Sequence, residues 1–220
     1  MRDIEALVFD FDGLILDTEL PIYRAWYELF QRHGAQPLSI DEWAAEIGTV
    51  RGLDLPGLLV ERATRPVDLD EAAVWRRAHR DLLLAEQQAR PGVEHWIAEA
   101  EAAGLGVAIA SSSEADWVLP LLERIGLHTR FACVVNAGGA LGAKPAPDTY
   151  LEACARLGVE PASALAIEDS PHGIAAAKAA GLRCVAVPHE LTETLDLSAA
   201  DLRLESLAEC SLADAIARLG

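Results

Sequence analysis

Basic residues are scarce in this chain. Its 220 residues hold 18 Lys and Arg against 35 Asp and Glu, a formal net charge of −17, with a pI near 4.6. Nucleic acid and anionic membrane surfaces both demand a basic face, so neither is expected as a partner. Closely spaced cysteines are missing too: Cys133, Cys154, Cys184 and Cys210 lie far apart, with no Cys-x-x-Cys. They read as small buried residues of a reducing compartment, which makes the cytoplasm the expected location. No long apolar run opens the chain, because Asp10 and Asp12 interrupt the first one. Neither a signal peptide nor a membrane span is therefore predicted. What remains is ordinary for a folded protein, 51% hydrophobic with 24% charged residues, and long enough for one large domain or two unequal ones.

From about Pro91 onward the pattern is regular. Helix-like stretches Val93–Ala103, Ala115–Ile125, Thr149–Leu157 and Pro171–Ala180 each stop at a glycine, as expected where the chain must leave a helix through a left-handed residue. Between them lie short apolar runs, Leu105–Ala110, Phe131–Val135, Ala164–Ile167 and Arg183–Val187, which join Ile4–Phe9 as strands. Apolar strands alternating with helices predict an α/β fold, a doubly wound parallel sheet covered on both faces. Residues 17–90 lack strands. They read as helices over Pro21–His33, from the capping box Ser39-Ile40-Asp41-Glu42, over Leu53–Ala63 and over Leu69–Ala89. The expected organisation is a core of residues 1–16 and 91–220, with 17–90 inserted as an all-helical lid joined to the core by two chain crossings, near Asp17–Glu19 and near Ala89–Gly92.

In such a sheet, ligands gather beyond the carboxyl ends of the strands. The first strand ends in Asp10-Phe11-Asp12-Gly13, the second delivers Ser111, Ser112 and Ser113, the loop after the third carries Lys144-Pro145, and the fourth releases Glu168-Asp169 before Ser170-Pro171. Each piece alone has a structural explanation, as an acidic turn, a helix cap or a loop. Together, on one edge, they set four carboxylates against a hydroxyl and an ammonium group. Two carboxylates as close as Asp10 and Asp12 repel and raise each other's pKa unless a cation or a phosphoryl group offsets the charge. Mg²⁺ takes hard oxygen ligands from a few carboxylates, and Asp10, Asp169 and Glu168 can supply them. Lys144 and Ser111, beside Ser112, can hold phosphoryl oxygens. Asp10 can then attack phosphorus to give an aspartyl-phosphate, while Asp12 protonates the leaving oxygen and later deprotonates water.

The run Asp10 to Glu19 resembles motif one of the haloacid dehalogenase-like superfamily, Ser111 motif two, Lys144-Pro145 motif three and Glu168 to Ile174 motif four. The helical insertion stands where that superfamily carries its alpha-helical cap. The resemblance implies Mg²⁺-dependent phosphoryl transfer, with Asp10 as nucleophile, Asp12 as acid/base, Ser111, Lys144 and Thr18 toward the phosphate, and Asp169 with the backbone carbonyl of Asp12 on the metal. Asp12 argues for phosphate chemistry, because dehalogenases lack this second Asp.

Within the superfamily the chain is most similar to the branch of beta-phosphoglucomutase and sugar-phosphate phosphatases. Ile47-Gly48-Thr49-Val50-Arg51 resembles the mutase loop whose arginine holds the non-reacting phosphate, which makes Arg51 a candidate substrate anchor. Against mutase activity, the mutase's hinge histidine falls on Ile22 and its motif-two lysine on Glu114. The expectation is a monomeric, Mg²⁺-dependent phosphomonoesterase for a small phosphorylated sugar or polyol, with a phosphosugar mutase as the alternative. A phosphorelay receiver domain fits poorly, because it places adjacent acids after strand one and has half the length. A catalytically silent binding subunit fits poorly too, since the catalytic side chains are all present.

Overall fold

The computed structural model, in which residues 4–44 and 53–220 are described, contains six strands among those residues. They are β1 (Ala6–Phe9), β2 (Gly106–Ser111), β3 (Cys133–Asn136), β4 (Ala164–Glu168), β5 (Arg183–Ala186) and β6 (Leu202–Arg203). They form one sheet in the order β3-β2-β1-β4-β5-β6, and every pairing is parallel. Nine α-helices accompany them in the described residues: α1 (Glu19–Arg32), α2 (Ile40–Ala44), α3 (Leu55–Arg62), α4 (Leu69–Ala85), α5 (Val93–Ala102), α6 (Ala115–Arg124), α7 (Asp148–Leu157), α8 (Pro171–Ala180) and α9 (Leu212–Arg218). The fold is the expected doubly wound α/β sheet. The chain divides into two compact units, residues 1–16 with 88–220, and residues 17–87.

Along the strands, side-chain size alternates rather than polarity. Leu7, Phe9, Val107, Ile109, Leu165, Ile167 and Val185 share one buried cluster with Trp96 and Ile97 of α5, Val118 and Leu122 of α6, and Leu212 of α9. Their neighbours Ala6, Ala108, Ala110, Ala164, Ala166 and Ala186 share a second cluster with Tyr150 of α7 and Ile174 of α8. Successive strand side chains point to opposite faces, so the sheet has a bulky face and a small one. The alanine face lets α7 and α8 lie close against the strands. Register keeps the two sets apart, pairing Phe9 with Ile109 and Ile167, and Val8 with Ala108 and Ala166.

The four glycines expected to end helices, Gly104, Gly126, Gly158 and Gly181, all have positive φ. In the helical unit the Ser39 and Glu42 side chains exchange hydrogen bonds with each other's backbone N–H groups, a capping box at the start of α2. Phe30, Leu29, Leu38, Leu59 and Ala72 form the unit's own core. Trp26 packs against Phe30 and under Arg76, Trp43 against Tyr23, and Trp75 stacks on His79.

Several element boundaries differ from the sequence expectation by one or two residues, and the end of α4 by four. Helix α4 stops at Ala85 rather than Ala89, because Ala89 is drawn into a bridge with Leu16. Strand β3 starts at Cys133 rather than Phe131, since a 3₁₀ turn over His128–Arg130 occupies the approach. The two-residue β6 and the helix α9 went unread in the sequence. Two residues carry no periodicity, and α9 follows a loop-rich stretch.

Candidate active site

The carboxyl ends of β1, β2 and β4 meet at the centre of the sheet, where successive connections leave in opposite directions. Such a switch point opens a crevice. Beyond β1, Asp10 continues the ladder by donating its N–H to Ile167 O. The chain then folds back on itself: Leu14, Ile15 and Leu16 donate to Phe11 O, and Gly13 donates to Leu16 O. Gly13 has φ +77°, and a Cβ there would stand 2.4 Å from Asp169 Oδ2 and 2.8 Å from His189 Nε2. Both facts require a glycine.

Asp10, Glu168 and Asp169 each present a carboxylate oxygen, and these oxygens lie within 4.8 Å of one another. Asp10 is 6% exposed, Asp169 2% and Glu168 fully buried. Lys144 Nζ is hydrogen-bonded to Asp10 Oδ1 and donates to Glu168 Oε1 at 2.6 Å. Burial pushes the Asp10 carboxyl well above the usual carboxylate range. Lys144 opposes that rise, while Glu168, Asp169 and Asp12 add to it. Glu168 is raised for the same leading reason, again against Lys144. Burial also works against the charged Lys144, but Asp10 and Glu168 outweigh it and hold its pKa above the ordinary lysine value.

Acceptor capacity is spent unequally. Glu168 receives Lys144 Nζ and Tyr150 Oη on Oε1, and Asp169 N–H and Ser170 Oγ on Oε2. Asp169, equally buried, accepts a single hydrogen bond on its side chain among the described residues, from His189 at 3.0 Å. A buried carboxylate with idle lone pairs is costly. Counted formally, three carboxylates stand against one ammonium, two negative charges in excess when all are ionised. The donor set, hard oxygens with that excess charge, fits a divalent cation of the Mg²⁺ type.

Asp12 lies at the same turn, with both oxygens engaged. Ser113 Oγ donates to Oδ2 at 2.6 Å and Trp117 Nε1 donates to Oδ1 at 2.8 Å. Ser111 is buried, and its Oγ accepts the Ser113 N–H at 3.0 Å. The Ser112 side chain is exposed; its Oγ accepts the Lys144 N–H at 3.1 Å, tying the β2 loop to the lysine loop. Thr18 is buried in the helical unit, just before α1. Arg51 and its loop, 47–51, lie outside the described residues.

The sequence profile of the haloacid dehalogenase-like hydrolases matches residues 4–181. The chain is a haloacid dehalogenase-like hydrolase. This hydrolase is 43% identical over 211 residues to the protein YhcW of Bacillus subtilis (strain 168), covering 96% of the chain and 95% of the relative. It is 31% identical to hexitol phosphatase B of Escherichia coli (strain K12), covering 97% of each. Among solved structures, CbbY from Rhodobacter sphaeroides in complex with phosphate superimposes with a TM-score of 0.75 at 31% identity, covering 96% of this chain and 98% of that one.

Sequence reasoning found Lys144 but missed most of the other partners around the acids. Tyr150, Trp117, His189 and Arg90 carry no motif of their own, and Ser113 stood out only as part of the serine run after β2. Arg90 donates to Gly13 O, Val187 O and Pro188 O, so one guanidinium ties the Asp12-Gly13 turn to the loop after β5. For Arg90 the one local signal was its place directly before Pro91-Gly92, at the return from the helical unit.

Proposed function

We propose that this hydrolase is a Mg²⁺-dependent phosphomonoesterase acting on a small phosphorylated metabolite, a sugar or polyol phosphate. The observation that carries the reading is the buried Asp10–Lys144–Glu168–Asp169 cluster, three carboxyl groups around one ammonium. Asp10, Asp169 and the Asp12 carbonyl would hold the cation, which supplies positive charge to the phosphoryl oxygens. Glu168 borders that set, and its four donors fit it better to fixing Lys144.

An Asp10 carboxylate oxygen attacks phosphorus, forming an O–P bond as the bond to the ester oxygen breaks. Asp12, in its acid form, gives its proton to that leaving oxygen. Asp12 then takes a proton from water, which attacks the aspartyl-phosphate and releases inorganic phosphate with Asp10 restored. Lys144 faces the Asp10 oxygen and neutralises charge as it develops. Ser111 Oγ accepts the Ser113 N–H, so its own hydrogen is available to a phosphoryl oxygen. Thr18 and Arg51 belong to the same reading on resemblance alone.

Hexitol phosphatase B supports a polyol substrate class, and phosphate bound in CbbY supports the phosphate chemistry. Ile22 of α1 and Glu114, just before α6, stand where the mutase resemblance asks for His and Lys, which favours release to water over transfer. All four cysteines are free, as a reducing cytoplasm would keep them, and no described helix is long and apolar enough to cross a membrane.

The test is phosphate release from p-nitrophenyl phosphate, then from a panel of phosphorylated sugars and polyols, with Mg²⁺ and with excess chelator. Turnover that needs Mg²⁺ supports the reading; turnover unaffected by chelation overturns it. Incubation of beta-glucose 1-phosphate with a bisphosphate primer separates the alternatives. Free phosphate outrunning glucose 6-phosphate marks a hydrolase, and the reverse marks a mutase.

A further inference from the structure

The residue that holds Asp169 comes from outside every motif. His189 follows β5, is 9% exposed, and makes the one hydrogen bond that the Asp169 side chain receives among the described residues. Its ring orientation is set from the other side: Leu191 N–H donates to His189 Nδ1 at 3.3 Å. A ring nitrogen that accepts carries no hydrogen, so the imidazole hydrogen is on Nε2 and the bond to Asp169 Oδ2 runs from histidine to carboxylate.

The backbone is held as firmly. His189 N–H donates to Thr192 Oγ1 at 3.0 Å, and His189 O accepts the N–H groups of Thr192 and Glu193. Thr192 is fully buried. Arg90 clamps the preceding carbonyls of Val187 and Pro188 together with that of Gly13. The Asp169–His189 bond lies against the bare Cα of Gly13, with no room for a methyl group.

We propose that His189 is a positioning residue, one that fixes the plane of the Asp169 carboxylate and reserves its remaining lone pairs for the divalent cation. This rests on the cation-dependent reading of the site. Ligand carboxylates and imidazoles held by such partners lose about tenfold to a hundredfold in metal affinity when the partner is removed. Among the described residues, the one carboxylate of the cluster that the His189 ring bonds is Asp169, so its effect is on cation occupancy rather than on bond-making.

Calorimetric titration of the purified chain with Mg²⁺ alone tests this without any turnover. The wild-type protein binds one Mg²⁺. His189→Leu, which removes the donor, binds it about tenfold to a hundredfold more weakly. His189→Gln places an amide N–H near the position of Nε2 and restores most of the affinity. In parallel, the Leu variant needs more Mg²⁺ for half-maximal turnover, and its rate recovers as Mg²⁺ is raised. If the Leu variant does not fold by circular dichroism, His189→Phe keeps a ring in place with no donor.

Wild-type affinity in a folded Leu or Phe variant overturns the proposal while leaving the catalytic reading intact. Equal losses in the Gln and Leu variants overturn it as well, because ring shape rather than the donor would then be at work. A wild-type protein that binds no Mg²⁺ overturns the cation site itself, and this proposal with it.

Discussion

Trp117 Nε1 donates a hydrogen bond to Asp12 Oδ1 at 2.8 Å, joining two residues 105 positions apart. Asp12 is the proposed acid and base, and its partner on the other oxygen, Ser113, comes from the same β2–α6 segment. A carboxylate held by two donors has its proton-carrying oxygens fixed in direction. Trp117→Phe keeps most of the ring and deletes the donor. A hydrogen bond to a charged group contributes about 1.5–3 kcal/mol, so kcat should fall about tenfold to a hundredfold. KM should stay near its wild-type value. Steady-state kinetics checks both, and an unchanged kcat would remove Trp117 from the site.

Gly173 offers a sharper conflict of effects. It sits in the first turn of α8, where alanine would favour helix by about 1 kcal/mol. A Cβ at that position, however, would stand 1.9 Å from the Glu168 carboxyl carbon. Glu168 cannot retreat without abandoning Lys144, Tyr150 and Ser170. The clash should win, so Gly173→Ala lowers the melting temperature and suppresses turnover. Thermal melts and an ester assay settle it; a stabilised variant would show that Glu168 has freedom the structure does not display.

Tyr150→Phe isolates one of the four bonds to Glu168. The Tyr150 hydroxyl donates to Oε1 at 2.6 Å in a fully buried setting. Its loss leaves a buried carboxylate short of a donor, a cost of about 1–3 kcal/mol. Urea denaturation should show that drop with an unchanged slope.

Mg²⁺ should stabilise the folded chain. Binding to the native state alone at about one hundred times the dissociation constant contributes about 2.7 kcal/mol. Melting with and without Mg²⁺ should therefore differ in the wild-type protein and coincide in Asp169→Asn. A melting temperature indifferent to Mg²⁺ in the wild type would contradict the cation assignment.

The sheet and its edge were legible because strong local signals coincided. Apolar runs ended in Asp10, Ser111 and Glu168, and Gly104, Gly126, Gly158 and Gly181 punctuated the helices between. What the motifs could not display was the support around them. Trp117, Tyr150 and His189 meet Asp12, Glu168 and Asp169 through strand order and helix packing, which local pattern does not encode. The alternation of bulky and small strand residues was present in Ala6-Leu7-Val8-Phe9 and Ala164-Leu165-Ala166-Ile167, but a run that is apolar throughout reads as uniform. Only the two faces of the finished sheet give the alternation a meaning.

The central claim is that the Asp10 carboxylate becomes phosphorylated. An acyl phosphate is reduced by borohydride to the alcohol, so enzyme quenched during turnover and treated with borohydride should carry homoserine at position 10, found by peptide mass spectrometry. Enzyme without substrate should retain aspartate there, and Asp10→Asn should neither turn over nor be reduced. Steady turnover with aspartate unmodified at position 10, or an Asp10→Asn protein of full activity, would contradict the account.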